Sequence, residues 1–248
     1  MGEIHTPTYG DLRYTNFGRR IYDGKSVVVL YVCDIKIYNV VTKVNTNEVM
    51  LLNKYDKIGD IIKDNNGYLF ISDGEKAGIS RTYLLQYIRE NNLEHVSKGV
   101  YVTEDTWPDM LYVTQRSNPK IIFSNETALF LNGLMEREYT DINVSVPTGH
   151  NGSRLREKGI IVHQEKDGIY GLGVCELKTN YGNTVIVYNS ERCICDLIKN
   201  RAVYDVQTFQ TAIKSYMKRK NKDLSLMLSY AEKIKVKEEV MKYVEVLV

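Results

Sequence analysis

"EKAGISRTYLLQYIRENN", residues 75–92, is the stretch on which the fold depends. Gly78 supplies a backbone free to take the left-handed conformation that a tight turn between two helices needs. Ile79 follows as an anchor to the core, and Ser80 stands where an N-cap belongs. Leu84, Tyr87 and Ile88 then recur at helical spacing, which predicts a short amphipathic helix with those three facing inward. Arg81, Thr82, Leu85, Gln86 and Arg89 are left on or near its outer face. Arg, Thr and Gln carry donors and acceptors suited to base edges and phosphates, and a recognition helix reads mainly through its first turns.

The flanking segments give this helix its context. Upstream, "NKYDKIGDIIKDNNGY" spaces Tyr55, Ile58, Ile61 and Ile62 as one helical face and stops at Asn66-Gly67. "FISDGEKAG" reads as a second short helix with Ser72 as its cap. Downstream, "LEHVSKGVYV" reads as two strands around Ser97-Lys98-Gly99, with Lys98 at the tip where it can reach a phosphate. Three helices followed by a hairpin is the order of a winged helix-turn-helix. The same order also suits a unit that docks on a protein or is purely structural, and the residues alone leave both readings open.

Beyond Pro108 the pattern changes. "DMLYVTQRS" predicts a short helix, and in "KIIFSNETALFLNGL" Ser124 caps a helix whose apolar stripe is Ala128, Leu129, Leu131 and Leu134. "DINVSVPT", "GIIVHQE", "YGLGVCEL" and "NTVIVYN" read as strands. The end is helical, with Ser190, Asp205 and Asp223 placed as N-caps for three of four helices. The expected architecture is α/β (α+β): a winged helix-turn-helix over 54–103, then a mixed domain over 108–248 with a small β-sheet and a C-terminal helical bundle. Residues 1–49, rich in Tyr, Asn, Thr and Val, are expected to be a poorly ordered or mis-annotated extension, with Met50 a candidate start. "SVVVLYVCDIKIYNVV" within them reads as one or two strands with no evident partner.

Charge narrows the function classes. The whole chain carries +2, and residues 50–101 hold 7 basic and 7 acidic side chains, so a broad electrostatic grip on nucleic acid is excluded and any DNA contact is local. Residues 190–248 hold 12 basic and 8 acidic side chains, a net of +4, with Lys214, Lys218, Arg219, Lys220 and Lys222 as the densest cluster. That cluster reads as a solvated helix end or as a phosphate-contacting patch. No apolar run approaches the ~20 residues of a membrane span, and "MGEIHTPTYG" has no secretory character, so a cytoplasmic protein without membrane contact is expected. Cys33, Cys175, Cys193 and Cys195 read as free thiols, and His5, His95, His150 and His163 have no metal-ligand spacing with them. "PTGHNGSRLREKG" lacks the Gly-Lys-Ser/Thr ending of a phosphate loop, so no metal and no cofactor is expected. Asp167 followed by Glu176 and Lys178 fits the loose spacing of a Mg²⁺-dependent nuclease if the two carboxylates begin and end one strand; a salt-bridged strand end is the plainer reading.

The stretches "GISRTYLLQYIRENNLEHVSKGVYV", "IIFSNETALFLNGL", "INVSVP", "NSERCICDLI" and "SLMLSYAEKIKVKEEVMKYVEVL" resemble, in order, the AbiEi antitoxin family of type IV (abortive-infection) toxin–antitoxin pairs. The resemblance runs from about residue 52 to the C-terminus. It implies a winged helix that binds inverted repeats in its own promoter, as a monomer in solution or two copies on DNA. It also implies a C-terminal domain that counters a nucleotidyltransferase-like toxin without a stable complex, and no enzymatic activity. Family members commonly show Arg-Thr-Leu-x-Asp where this chain has Arg192-Cys193-Ile194-Cys195-Asp196. On this reading Ser80, Arg81, Thr82, Gln86 and Arg89 contact DNA and Lys98 anchors the wing. A winged-helix regulator responding to a ligand is the rival expectation.

Overall fold

The computed structural model describes the backbone of residues 18–22, 27–33, 36–42 and 46–247, and the side chains of residues 54–245. Three strands come first: β1 (Gly18–Tyr22), β2 (Val27–Cys33) and β3 (Lys36–Thr42). They form an antiparallel meander in which Val29 pairs with Val40 and with Arg20. The apolar stretch 26–41 thus finds its strand partners in itself and in β1, where the sequence showed none. The rest of the expected 1–49 extension, apart from the start of the next helix, lies outside the described residues. Helix α1 (Thr46–Asp64) begins four residues before Met50, so the expected boundary falls inside a helix.

The next elements are β4 (Tyr68–Phe70), α2 (Ile71–Lys76), α3 (Arg81–Glu90), β5 (Glu94–Ser97) and β6 (Val100–Val102). Asn66 and Gly67 end α1 with positive φ, as their sequence predicts. β4 is an addition: Tyr68, Leu69 and Phe70 are all buried, and a short run of three apolar residues has no period to distinguish strand from helix. Its presence moves the start of α2 forward, so Phe70 holds the N-cap position and Ser72 lies within the helix.

By contact density the chain divides into 1–95 and 96–248, a cut that falls within β5 rather than near residue 105. The second unit holds α4 (Met110–Ser117), β7 (Ile122–Phe123), α5 (Asn125–Leu131), β8 (Asn143–Pro147), α6 (Ser153–Arg156), β9 (Ile161–Glu165), α7 (Asp167–Tyr170), β10 (Val174–Lys178) and β11 (Thr184–Tyr188). Four helices close it: α8 (Ser190–Lys199), α9 (Val206–Met217), α10 (Leu224–Ile234) and α11 (Lys237–Leu247). Its five-stranded sheet runs β10-β11-β7-β8-β9, with β11 parallel to β7 and β8 parallel to β9. All four predicted strands and all four terminal helices are present. The fold is mixed α/β.

Buried polar groups tie the second unit together. Asp109 caps α4 by accepting from the amides of Leu111 and Tyr112, and its other oxygen accepts from Thr179 Oγ1 at 2.5 Å and Asn183 Nδ2 at 3.0 Å. Gln115 donates to the carbonyls of Ile121 and Ile186 and accepts from the Ile186 amide, stitching α4 to β11. Asp205 and Asp223 cap α9 and α10 as expected. Asn189, not Ser190, caps α8, because its side-chain oxygen accepts from the Arg192 amide while the Ser190 hydroxyl turns to Asn132. Ser124 sits at the N-cap of α5, yet its hydroxyl makes no cap bond. The thiols of Cys175, Cys193 and Cys195 are free. No described helix is long and apolar enough to cross a membrane.

Candidate nucleic-acid interface

Helix α3 is set against α2 by two glycines with different tasks. Gly78 has φ +80° with no atom within 4 Å of where a Cβ would stand, so its role is conformational. Gly74 is packed instead: a Cβ there would meet Leu84 Cδ2 at 2.5 Å. Ile79, Leu84 and Ile88 are buried, and Tyr87 is half-buried with its ring edge-on to Tyr55 at 5.1 Å. The inward face is therefore the one the spacing predicts.

On the outward face Ser80, Arg81, Thr82 and Arg89 are exposed. Ser80 has the extended backbone of an N-cap residue, but its hydroxyl makes no cap bond. The Arg81 guanidinium lies 3.9 Å from Glu75, an exposed pair that contributes little and is easily broken. Thr82, Gln86 and Arg89 fall on one line along the helix at i, i+4 and i+7. Gln86 differs from its neighbours: it is half-buried and its amide donates to Glu90 at 2.8 Å. Glu90 also accepts from the Tyr55 hydroxyl at 2.8 Å. Those two hydrogen bonds, Gln86 first, hold the Glu90 carboxyl below the usual range, while burial and the bond to Glu90 push Tyr55 up to about 12. A hydrogen-bonded carboxylate thus stands at the C-terminal end of α3. The Gln86–Glu90 half of this arrangement is an i, i+4 pair within α3, whereas the Tyr55 half joins residues 35 positions apart and has no local signal. Lys54 lies over the Tyr83 ring at 3.9 Å, so one cation of α1 is applied to the flank of α3.

In the second unit, Lys98 is exposed in the turn between β5 and β6, followed by Gly99 at φ +73°. The expected basic cluster is divided. Lys214, Lys218 and Lys220 are exposed, while Arg219 is half-buried and donates to Ser190 Oγ and to the Asn132 carbonyl. Lys222 donates to the Arg219 carbonyl at 3.3 Å. Arg219 is a link between α9 and the α5–α8 region rather than one of a row of cations. The residues considered for a nuclease do not converge: Asp167 opens the helical turn α7 after β9, whereas Glu176 and Lys178 are on β10, and β9 and β10 are opposite edges of the sheet.

The second unit also holds a polar cleft that sequence patterns did not reveal. Two adjoining cavities of ≈ 350 and ≈ 530 Å³ share Asn125, His163 and Asn200 in their walls. Asn143 donates to the Asp141 carbonyl, which leaves its Oδ1 to accept from His163 Nε2 at 3.0 Å. This network makes Nε2 the protonated nitrogen, and burial lowers the affinity of the ring for a second proton. Behind the cleft Arg192, fully buried, reaches Asp196 through Nε at 2.9 Å, the Ile169 carbonyl through Nη1 at 2.8 Å, and Glu165 through Nη2 at 3.5 Å. Its guanidinium also covers the Tyr188 ring at 4.5 Å. Burial raises Asp196 to about 6 even with Arg192 beside it. Arg192 and Asp196 form a helical i, i+4 ion pair, and that spacing is the one sequence signal that could have found the network.

No family model and no curated protein matches the chain. Among solved structures it is similar to the RV2827C protein from Mycobacterium tuberculosis, with a TM-score of 0.42 and 11% identity over 78% of this chain and 80% of that one. The likeness to the AbiEi family accordingly stands on the sequence stretches quoted above.

Proposed function

We propose that residues 54–103 form a winged helix-turn-helix that binds inverted repeats in the promoter of its own operon, and that the second unit counters a nucleotidyltransferase-like toxin. The observation that carries the DNA part is the glycine turn followed by α3, with Leu84 and Ile88 inward and Arg81, Thr82 and Arg89 exposed. In this reading the N-terminal turns of α3 enter the major groove, with Ser80, Arg81 and Thr82 nearest the bases and Arg89 nearer the backbone. Gln86 joins them only by leaving Glu90. Two copies on an inverted repeat place their helices one duplex turn apart, ~34 Å. Lys98 anchors the wing. The toxin part rests on the resemblance alone; the neutrality of residues 50–101 bears on the DNA part, where it favours a few placed contacts over a general polyanion binder.

A mobility-shift titration with the DNA upstream of the gene tests it. Arg81→Ala is expected to weaken operator binding by ~1–3 kcal/mol if the side chain reads a guanine; wild-type affinity removes Arg81 from the interface. Lys98→Ala is expected to lower the salt slope by about one phosphate contact, and an unaltered slope removes the wing. Deleting residues 1–103 should abolish repression and retain rescue of cells expressing the toxin.

A further inference from the structure

The C-terminal end of α8, with α9 and α11, encloses a groove of ≈ 610 Å³, within the roughly 300–1,000 Å³ typical of small-molecule sites. Its floor is apolar, with Ile198, Phe209 and Ile213 buried. Its rim carries Arg201, Lys214 and Lys242 against a single carboxylate, Glu239. Phe209 and Tyr243 meet edge to face with centroids 5.5 Å apart. Arg201 is held in place over the ring: its guanidinium carbon lies 4.2 Å from the centre of the Phe209 ring, and Nη1 donates to the Tyr204 carbonyl at 3.1 Å.

These features select a ligand class. Three cations against one carboxylate repel a cationic ligand and favour an anion. The aromatic and aliphatic floor gives nothing to a bare oxyanion but buries a flat ring. A guanidinium fixed on an aromatic face is itself a planar shelf on which a base can stack. We propose that this groove is a nucleotide site, with the base on the wall formed by Arg201 and Tyr243 and the phosphates at Lys214 and Lys242. Three of the five cations of the expected basic cluster had no evident task; Lys214 acquires one here, lining the groove together with Lys242, 28 positions later in the chain. The proposal is independent of the DNA reading, since no residue of 54–103 takes part.

Isothermal titration of the full chain with ATP, adenosine and inorganic tripolyphosphate separates base from phosphate. ATP should bind saturably at one site, with adenosine and tripolyphosphate each roughly tenfold weaker or more, because each offers only one of the two contacts. Lys214→Glu combined with Lys242→Glu should weaken ATP by roughly tenfold or more while leaving the weak adenosine binding unchanged. Both side chains are exposed, so a far-UV spectrum should remain native. Absence of saturable ATP binding overturns the proposal. So does tripolyphosphate binding as tightly as ATP, which marks a phosphate patch without a base site, or ATP affinity indifferent to the double reversal. Arg81→Ala, which lies outside the groove, should bind ATP as the wild type does, so failure here and failure of the DNA reading are separable.

Discussion

Replacing Arg192 with Leu tests whether the network behind the polar cleft is held by one buried cation. Arg192 is fully buried and serves Asp196, Glu165, the Ile169 and Leu172 carbonyls and the Tyr188 ring at once. Leucine keeps part of the apolar stem contact and removes every one of these. Breaking a buried pair by deleting one partner typically costs about 3–5 kcal/mol, because the remaining charge is left in a poorly solvated site. Asp196 gives the loss a pH signature. Its folded value of about 6 stands above the ordinary 3.8, so the folded state binds this proton more tightly than the unfolded state does. Stability from that preference is fully present below pH 3.8, is lost as pH rises through 6, and amounts to about 3 kcal/mol at 1.36 kcal/mol per pKa unit. Without Arg192 the attraction that lowers Asp196 is gone and its value rises further. The variant should therefore lose most at pH 7.5 and recover part of the deficit at pH 5, where Asp196 is protonated. Urea unfolding followed by far-UV circular dichroism at the two pH values measures this. A second variant, Arg192→Leu with Asp196→Leu, should be more stable at pH 7.5 than Arg192→Leu alone. The reasoning fails if the single variant loses under about 1 kcal/mol, or if its loss is the same at both pH values.

Two further outcomes are expected. If α3 reads DNA as proposed, Glu90→Gln should tighten operator binding roughly two- to fivefold, because it removes a negative charge from the C-terminal end of α3 and weakens the hold on Gln86; unchanged or weaker binding in a mobility shift would place Glu90 away from the DNA. Gly74→Val should cost about 1–3 kcal/mol of stability by forcing its side chain against buried Leu84, while Gly78→Ala should cost about 1–2 kcal/mol from backbone strain alone. A Leu84→Ala background should recover much of the first loss and none of the second, read from thermal unfolding; equal behaviour of both glycines would contradict their assigned tasks.

How much of this was legible in the sequence depended on the range of the interactions involved. The inner face of α3 is legible because helical period is a property of neighbouring residues, and the caps Asp205 and Asp223 reach only three residues ahead. β4 was missed because three consecutive buried residues carry no alternation. Ser72 and Ser190 were placed as caps by residue type, and lost those positions when the preceding elements ran one or two residues differently. Asp167 and Glu176 were imagined on one strand; a helical turn and opposite edges of the sheet separate them.

By itself, then, the sequence determined the order of the main helices and strands from 54 onward, without the short elements β4, β7, α6 and α7, together with the inward face of α3 and the exposure of Arg81, Thr82 and Arg89, all consequences of short-range periodicity and turn chemistry. Only the tertiary structure decided that Gln86 is tied to a carboxylate held by Tyr55, and that Arg219 and Arg192 belong to the interior. It also decided that Arg201, Lys214 and Lys242 share one groove. Those outcomes depend on which distant segments meet, and that is settled by burying a common core rather than by any pattern local to the residues concerned.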